Sequence, residues 1–508
     1  MGKKAEHRRK KYIAVNVGMK NRQEDVVSSS IALVFVRVIT MLVGIVQTMI
    51  LSRTLAKADY GTYSQALLII SFAAPFFSLG LENAVNYFFN KSAETASKEK
   101  FINTIFTVSI FSGMLCGMFM IGFRNQIAGY FKNTAILGLI FWIAFRPCLQ
   151  NLISLYQPLY ISSGYAGTIA RRNLIISIVQ IGIVGGISCF PNNIRLIFIL
   201  LLLLDMIQLF WFAGVYRKRK FAVSIFEADF SLVREILKYA LPMLFAASLS
   251  TISLNIDKLM VSGLMSTEDY ALYANVSKEL PFAFIVSSFT AVVTPLIVQY
   301  ISSGEYEKFE NLWSSYLEVG YKVTWPLCVG AAILAPEMIE VLYSGAYLSD
   351  DGVIVFCIYT VASMMRFTYF GMVPTALGRT DIVLKYSVIS CAINICLNYP
   401  MYLWLGMPGP AAATVISLVI SAALYFRTSA RLVNISFWEV FAPRKIICLF
   451  TEMGICGVTV RLLVSVIGNF CSNAFVKLFF GYFLFNALIF GWNYKGLKSL
   501  LGTMRERN

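Results

Sequence analysis

About fourteen apolar stretches, each long enough to cross a bilayer, follow one another through nearly the whole chain. A helix rises about 1.5 Å per residue and the hydrocarbon layer is about 30 Å thick, so a run of roughly 20 apolar residues reads as a membrane span rather than a core helix. The approximate spans are 28–52, 62–88, 101–123, 134–161, 170–190, 194–214, 239–263, 280–301, 320–344, 352–377, 382–406, 410–432, 444–468 and 471–494. The expected class is therefore an all-α polytopic membrane protein. Composition agrees: 58% of the 508 residues are hydrophobic and 14% charged, whereas a soluble domain carries about a quarter charged residues.

A net charge of +16 invites a nucleic-acid reading, but the placement of the basic residues argues against it. With the N-terminus inside, about 31 of the 43 lysines and arginines fall on the cytoplasmic side, about seven on the other and about five within spans. Lys3, Lys4, Arg8, Arg9, Lys10, Lys11, Lys20 and Arg22 precede the first span, and Arg217 to Lys220 follow the sixth. Such clusters fix topology and bind anionic headgroups. An even number of spans returns the C-terminus to the cytoplasm, so a multi-pass protein of the cytoplasmic membrane with both ends inside is expected. No cleavable signal peptide is expected, because the charged opening leads into a span too long for a signal h-region. The ten cysteines lie mostly within spans, without metal-ligand spacing or a disulfide framework. Neither a metal nor a cofactor is expected.

An internal repeat organises the chain. Ser52, Asp59, Tyr60 and Tyr63 recur as Ser262, Asp269, Tyr270 and Tyr273, each 210 residues on. A weaker echo at nearly the same offset links Ser163-Gly164-Tyr165 with Leu377-Gly378-Arg379. Six spans separate the copies, and an even number keeps both in one orientation. Parallel repeats of this kind are related by an axis along the membrane normal, and transporters built from repeats place their substrate path at the repeat interface. The predicted organisation is a basic tail (1–27), an N-lobe of six spans (28–214), a cytoplasmic linker (215–238), a C-lobe of six spans (239–432) and a final segment (433–508) with two leftover spans as an appendage.

The Asp59 to Tyr63 turn, the run Asn255-Ile256-Asp257-Lys258 through Tyr273-Ala274, the segment Ala335-Pro336-Glu337 through Tyr343-Ser344-Gly345, and Ala376-Leu377-Gly378-Arg379 with Asn394 and Gly409 together carry a resemblance. In order and spacing they resemble the polysaccharide transporter branch of the multidrug/oligosaccharidyl-lipid/polysaccharide exporter superfamily, which includes the O-antigen and capsule repeat-unit flippases. The resemblance covers about residues 28 to 494 and implies a V-shaped, two-lobed fold of fourteen helices that works by alternating access. It also implies an undecaprenyl-diphosphate-linked oligosaccharide as substrate, with membrane lipids, a polysaccharide polymerase and glycosyltransferases as partners.

Charged residues retained inside spans are the candidates for handling that substrate, since each costs about 2.5 kcal/mol or more and asks for a partner, water or a function. Arg37 stands well inside the first span, beyond easy snorkelling range. It is either a cavity-facing cation for a diphosphate, to which a guanidinium fork is suited, or one half of an internal salt bridge to Asp205 or Glu82. Arg146, followed by Pro147 where the helix is expected to bend, carries the same two readings, and so does Arg366. Asp257 and Lys258 are a coupling pair or a structural one. Glu452 and Arg461 read as packing features of the final segment. Pro75, Pro147, Pro242, Pro295, Pro326 and Pro374 interrupt spans, as bending points or simply for packing. Tyr156, Tyr160 and Trp142 are candidates for stacking on a sugar, against the plainer reading as lipid-contact and interfacial-belt rings.

The single histidine, His7, lies in the tail, no phosphate-binding glycine loop is present, and no extramembrane segment exceeds about 30 residues. An ATP-driven pump is thereby excluded in this chain, a membrane glycosyltransferase is disfavoured, and no enzymatic activity is expected. The expected function is a flippase for a lipid-diphosphate-linked oligosaccharide, driven by an ion gradient or the membrane potential. The alternatives are a drug or metabolite antiporter of the same superfamily, which needs carboxylates in the cavity of the first lobe, and a non-transporting scaffold of a polysaccharide synthesis complex.

Overall fold

The computed structural model describes residues 36, 38–91, 95–163, 165–188, 194–219, 223–224, 227–435, 443–470 and 472–505. Among these there is no strand. In chain order the helices are α1 (Val38–Thr54), α2 (Lys57–Ser78), α3 (Leu81–Lys91), α4 (Thr95–Gly122), α5 (Arg124–Tyr130), α6 (Ala135–Ile143), α7 (Arg146–Ser162), α8 (Ala166–Ser188), α9 (Ile194–Arg219) and α10 (Val233–Leu264). They continue as α11 (Thr267–Val276), α12 (Ala283–Ser302), α13 (Tyr306–Ile333), α14 (Ala335–Tyr343), α15 (Asp350–Met365), α16 (Met372–Ala376), α17 (Thr380–Leu405), α18 (Pro408–Leu432), α19 (Pro443–Phe470) and α20 (Ala474–Arg505).

Ten helical stretches among the described residues are long and apolar enough to cross a membrane, and a bent pair makes an eleventh. The protein is thus an all-helical polytopic membrane protein, while the expected total of fourteen is not reached. The ninth expected span is broken: α13 and α14 meet at 83°, where Pro336 follows the end of α13 and the chain has restarted with proline in the first turn of α14. The tenth ends at Met365 after 16 helical residues. The first expected span begins among residues outside the description, and the eighth is represented by the shorter apolar stretch Ser288–Ser302.

The lipid-facing surface follows from helical periodicity. On α4, Phe111, Leu115, Met118 and Phe119 are 63%, 66%, 59% and 62% exposed, whereas Ile102, Ile105 and Phe106 are buried. An apolar stripe of that size would aggregate in water and is at ease in hydrocarbon. Because lipid is as apolar as leucine, helix association here draws on close packing and interhelical hydrogen bonds rather than on hydrophobic burial.

The chain divides into two compact units. The first comprises Met1–Thr54, Ala73–Arg124 and Leu137–Leu244. Its α7 lies against α3, α4 and α9. Tyr156 of α7 meets Phe106 of α4 edge to face at 4.8 Å and stacks with Phe212 of α9 at 5.9 Å, pairs worth about 0.5–1.5 kcal/mol each. The segment before α10 is tied to α4: the Ser224 amide donates to Asn103 Oδ1 at 2.9 Å and the Asp229 amide to Thr104 Oγ1 at 2.9 Å.

The second unit comprises Leu55–Phe72, Asn125–Ile136 and Phe245–Asn508, and it contains Asp59, Tyr60 and Tyr63 of the first repeat copy together with the whole of the second. The chain breaks between Thr54 and Lys57 and again between Leu264 and Thr267, equivalent positions at the same offset of 210 residues. The copies touch directly. Tyr60 Oη donates to Asn275 Oδ1 at 2.5 Å, and Gln65 Nε2 donates to Ser262 Oγ at 3.1 Å. A β-carbon on Gly61 would lie 2.2 Å from the Thr267 carbonyl oxygen, so only glycine admits this approach. Gly409 serves α17 and α18 in the same way, with the Met401 carbonyl 2.1 Å from where a β-carbon would be. Asn394 Nδ2 donates across that pair to Thr414 Oγ1 and Ser417 Oγ.

The last two helices, expected as an appendage, complete the core of this unit. Leu449, Met453, Cys456 and Val460 of α19 and Phe485 and Ile489 of α20 pack with Trp325, Cys328 and Leu334. Two ion pairs fasten α19 as well: Lys445 Nζ to Glu318 Oε2 at 2.6 Å and Arg461 Nη1 to Glu337 Oε1 at 2.7 Å. Glu452 accepts from Asn493 Nδ2 at 2.7 Å and so joins α19 to α20.

Candidate substrate cavity

Within the first unit, α1, α7, α8 and α9 enclose a polar cavity of about 260 Å³. Its wall is rich in amides: Gln150 and Gln157 from α7, Asn173 and Gln180 from α8, and Gln208 from α9. Residues seven apart lie two turns on along one helix face, so Gln150 with Gln157, and Asn173 with Gln180, line the hollow in pairs. Thr40 and Ser177 add hydroxyls.

Two arginines and one carboxylate set its electrostatics. The helix breaks at Ala144 and Phe145, α7 restarts at Arg146 with Pro147 in its first turn, and this places Arg146 opposite α9. Arg146 Nε donates to Asp205 Oδ2 at 2.9 Å, with side-chain exposures of 7% and 4%. Gln208 Nε2 donates to the other carboxylate oxygen at 3.2 Å, and Gln150 Nε2 approaches Oδ2 at 3.4 Å. Asp205 is thereby saturated. Arg172 of α8, which lines the cavity, hydrogen-bonds instead to neutral groups, Nη1 donating to Asn173 Oδ1 at 2.8 Å and Nη2 to Gln208 Oε1, lies 5.3 Å from the Phe212 ring centre and reaches Asp205 only at longer range. Its Nε is buried and finds no acceptor among the described residues. No carboxylate among them forms a salt bridge with it, so this cluster keeps a surplus positive charge.

The sequence candidates fall into different places. Arg37 lies outside the described residues. Arg146 is not a free cation, because Asp205, offered as a partner for Arg37, neutralises it. Arg366 belongs to the second unit, where Nη2 meets Glu279 Oε1 at 2.9 Å. Tyr156 and Tyr160 are 4% and 0% exposed and pack with Phe212 and Tyr216. Tyr160 Oη donates to the Phe212 carbonyl at 3.0 Å, so both rings are core and neither faces the amide cavity. Glu82 opens α3, exposed. Asp257 is 1% exposed and accepts from Tyr273 Oη at 2.7 Å and from Tyr359 Oη, while Lys258 Nζ lies 5.9 Å from the Tyr359 ring centre.

Sequence reasoning passed over Arg172 and the amides. Arg171 and Arg172 stand at the head of the fifth expected span, where basic residues read as topology signals, and attention to charges left neutral glutamines unweighed. The signal that could have found them is the seven-residue spacing of amides inside otherwise apolar helices.

Known proteins resemble this chain in sequence and in shape. Residues 50–350 match the family model described as polysaccharide biosynthesis protein. The protein named probable low-salt glycan biosynthesis flippase Agl15, from Haloferax volcanii, is 20% identical over 86% of this chain and 89% of its own length. Among solved structures, the lipid II flippase MurJ in an inward-closed conformation superposes with a TM-score of 0.69, at 15% identity over 91% of this chain and 99% of that one. An inward-facing multidrug resistance MATE family transporter of the MOP superfamily gives a TM-score of 0.61, at 12% identity over 78% of this chain and 94% of that one. At these identities the two structures establish a common fold.

Proposed function

We propose that this chain, which belongs to the polysaccharide biosynthesis protein family, is a flippase that moves a lipid-diphosphate-linked oligosaccharide across the cytoplasmic membrane by alternating access. The observation that carries the reading is the amide-lined cavity with Arg172 at its wall. Amides donate and accept at once and so suit the hydroxyls of a sugar, while two guanidinium groups sharing one carboxylate leave a net positive charge that suits an oxyanion. Placing such groups inside apolar helices is costly, which favours a transported polar ligand over packing alone. The name of the Haloferax volcanii relative points the same way.

Arg37 joins Arg172 as a proposed diphosphate contact, since Thr40, three residues on, lines the same cavity. Both chain ends are proposed to lie in the cytoplasm, and a polymerase and glycosyltransferases are proposed as the enzymes that use and supply the substrate. The antiporter alternative needs a carboxylate ready for a cation in the cavity of the first lobe, and the carboxylate that lines the amide cavity, Asp205, is occupied by Arg146. The scaffold alternative predicts that transport is dispensable.

The test is reconstitution of the full-length protein in vesicles with a fluorescent undecaprenyl-diphosphate oligosaccharide, following accessibility of the label to a membrane-impermeant quencher. Wild type is expected to speed exchange between leaflets, and Arg37→Ala to abolish that gain at normal membrane abundance. A rate no faster than in protein-free vesicles defeats the flippase reading. Loss of abundance in Arg37→Ala would instead mark that residue as half of a structural ion pair.

A further inference from the structure

A second hollow lies beside the amide cavity, between α8 and α9, with a volume of about 430 Å³. It falls within the roughly 300–1,000 Å³ of ordinary ligand sites. Its wall is apolar, built from Ile175, Ile176, Ile207, Trp211 and Val215, with Arg171 and Arg172 also lining it. Ile175 and Ile207 are 58% and 65% exposed, so this groove opens at the outer surface of two helices that are long and apolar enough to cross a membrane. Arg172, Ile176 and Gln208 line both hollows. The Arg172 guanidinium therefore stands at a seam, with a polar chamber on one side and an oily groove on the other.

The order of these surfaces is chemically selective. An occupant of both must carry a polyhydroxylated head, then an anionic linker, then a hydrocarbon chain. A membrane phospholipid carries two chains for one groove and no glycan for the chamber. We infer that the α8–α9 groove seats the first isoprene units of the prenyl chain of the lipid-linked substrate, with the diphosphate on Arg172 and the glycan among the amides. The inference rests on the flippase reading and adds to it a docking site for the lipid chain on the first unit. Surplus positive charge at the seam supplies the complement to the diphosphate. The isoleucine wall and the Trp211 ring offer close van der Waals contact to a methyl-branched chain.

The experiment uses purified full-length protein in nanodiscs, photolabelled with a benzophenone-bearing farnesyl diphosphate and mapped by peptide mass spectrometry. Label is expected on α8 and α9 around residues 175–176 and 207–215. Undecaprenyl diphosphate should compete with it, and phosphatidylglycerol at the same mole fraction should not. Ile207→Trp fills the groove from its exposed side and should cut labelling roughly tenfold, with an unchanged melting temperature. Label elsewhere on the chain, undiminished labelling of Ile207→Trp, or equal competition by phosphatidylglycerol would each overturn the inference. Vesicle translocation measured in parallel separates the two claims: wild-type translocation with misplaced label refutes the groove alone, whereas no translocation refutes the flippase reading.

Discussion

The two units differ in where the intramembrane charges held by neutral groups lie. In the second, three described clusters pair cation with carboxylate: Arg366 meets Glu279, Glu318 meets both Lys322 and Lys445, and Arg461 meets Glu337, while the buried Asp257 is held by two tyrosine hydroxyls and Lys278 donates to Tyr60 Oη. In the first, Arg146 takes the direct contact with Asp205, and Arg172 hydrogen-bonds to amides and lies over the Phe212 ring, reaching the carboxylate only at longer range. A charge matched to its counterion holds helices together and has nothing left for a ligand. A charge solvated by neutral dipoles at the wall of a cavity is still available, which makes the compensation pattern more informative than the position of an arginine in a span.

The contrast can be broken at its strongest point first. Asp205→Ala strands Arg146 in a buried site and should destabilise the protein by about 3–5 kcal/mol, read as a large drop in membrane abundance and melting temperature. The double replacement Arg146→Leu with Asp205→Leu should recover most of that loss, because a matched apolar pair leaves no buried charge. A smaller effect is expected at Arg172. Arg172→Ala should leave abundance near normal and slow translocation roughly tenfold or more, as expected for a donor to a charged group worth about 1.5–3 kcal/mol. Arg172→Lys should rescue only in part, since an ammonium lacks the planar fork. If Arg172→Ala instead fails in abundance and translocates normally per molecule, the distinction between spent and available cations is lost.

Tyr160→Phe sharpens the comparison further. It removes the hydrogen bond to the Phe212 carbonyl and should cost about 1 kcal/mol in thermal stability, with translocation per molecule unchanged. A specific transport defect would return Tyr160 to the substrate path. Least of all, Arg366→Gln breaks a partly exposed pair and should shift stability by about 1 kcal/mol or less, with little effect on transport in the vesicle assay.

Much of the architecture was legible in one dimension. Apolar run length identified the polytopic class, and the recurrence of Ser52, Asp59, Tyr60 and Tyr63 at Ser262, Asp269, Tyr270 and Tyr273 anticipated that the helix breaks would recur at the same offset. The span count was less legible, because the bend at Pro336 and the early end of α15 at Met365 depend on how the segments pack. The site was least legible. Arg146 and Arg172 are the same residue type in neighbouring spans, and nothing local distinguishes the one that finds Asp205 from the one that does not.

Membrane class, helical content and the internal duplication are properties of the chain alone, since they follow from hydropathy integrated along it and from residues compared at fixed spacing. Which charges cancel, which amides share a hollow, and that the last two helices belong to the second core were decided by tertiary structure. The physical reason is that pairing energies depend on distances of a few ångströms between residues tens to hundreds of positions apart. Lys445 and Glu318, 127 positions apart, are one such pair, and Arg146 with Asp205, 59 apart, is another.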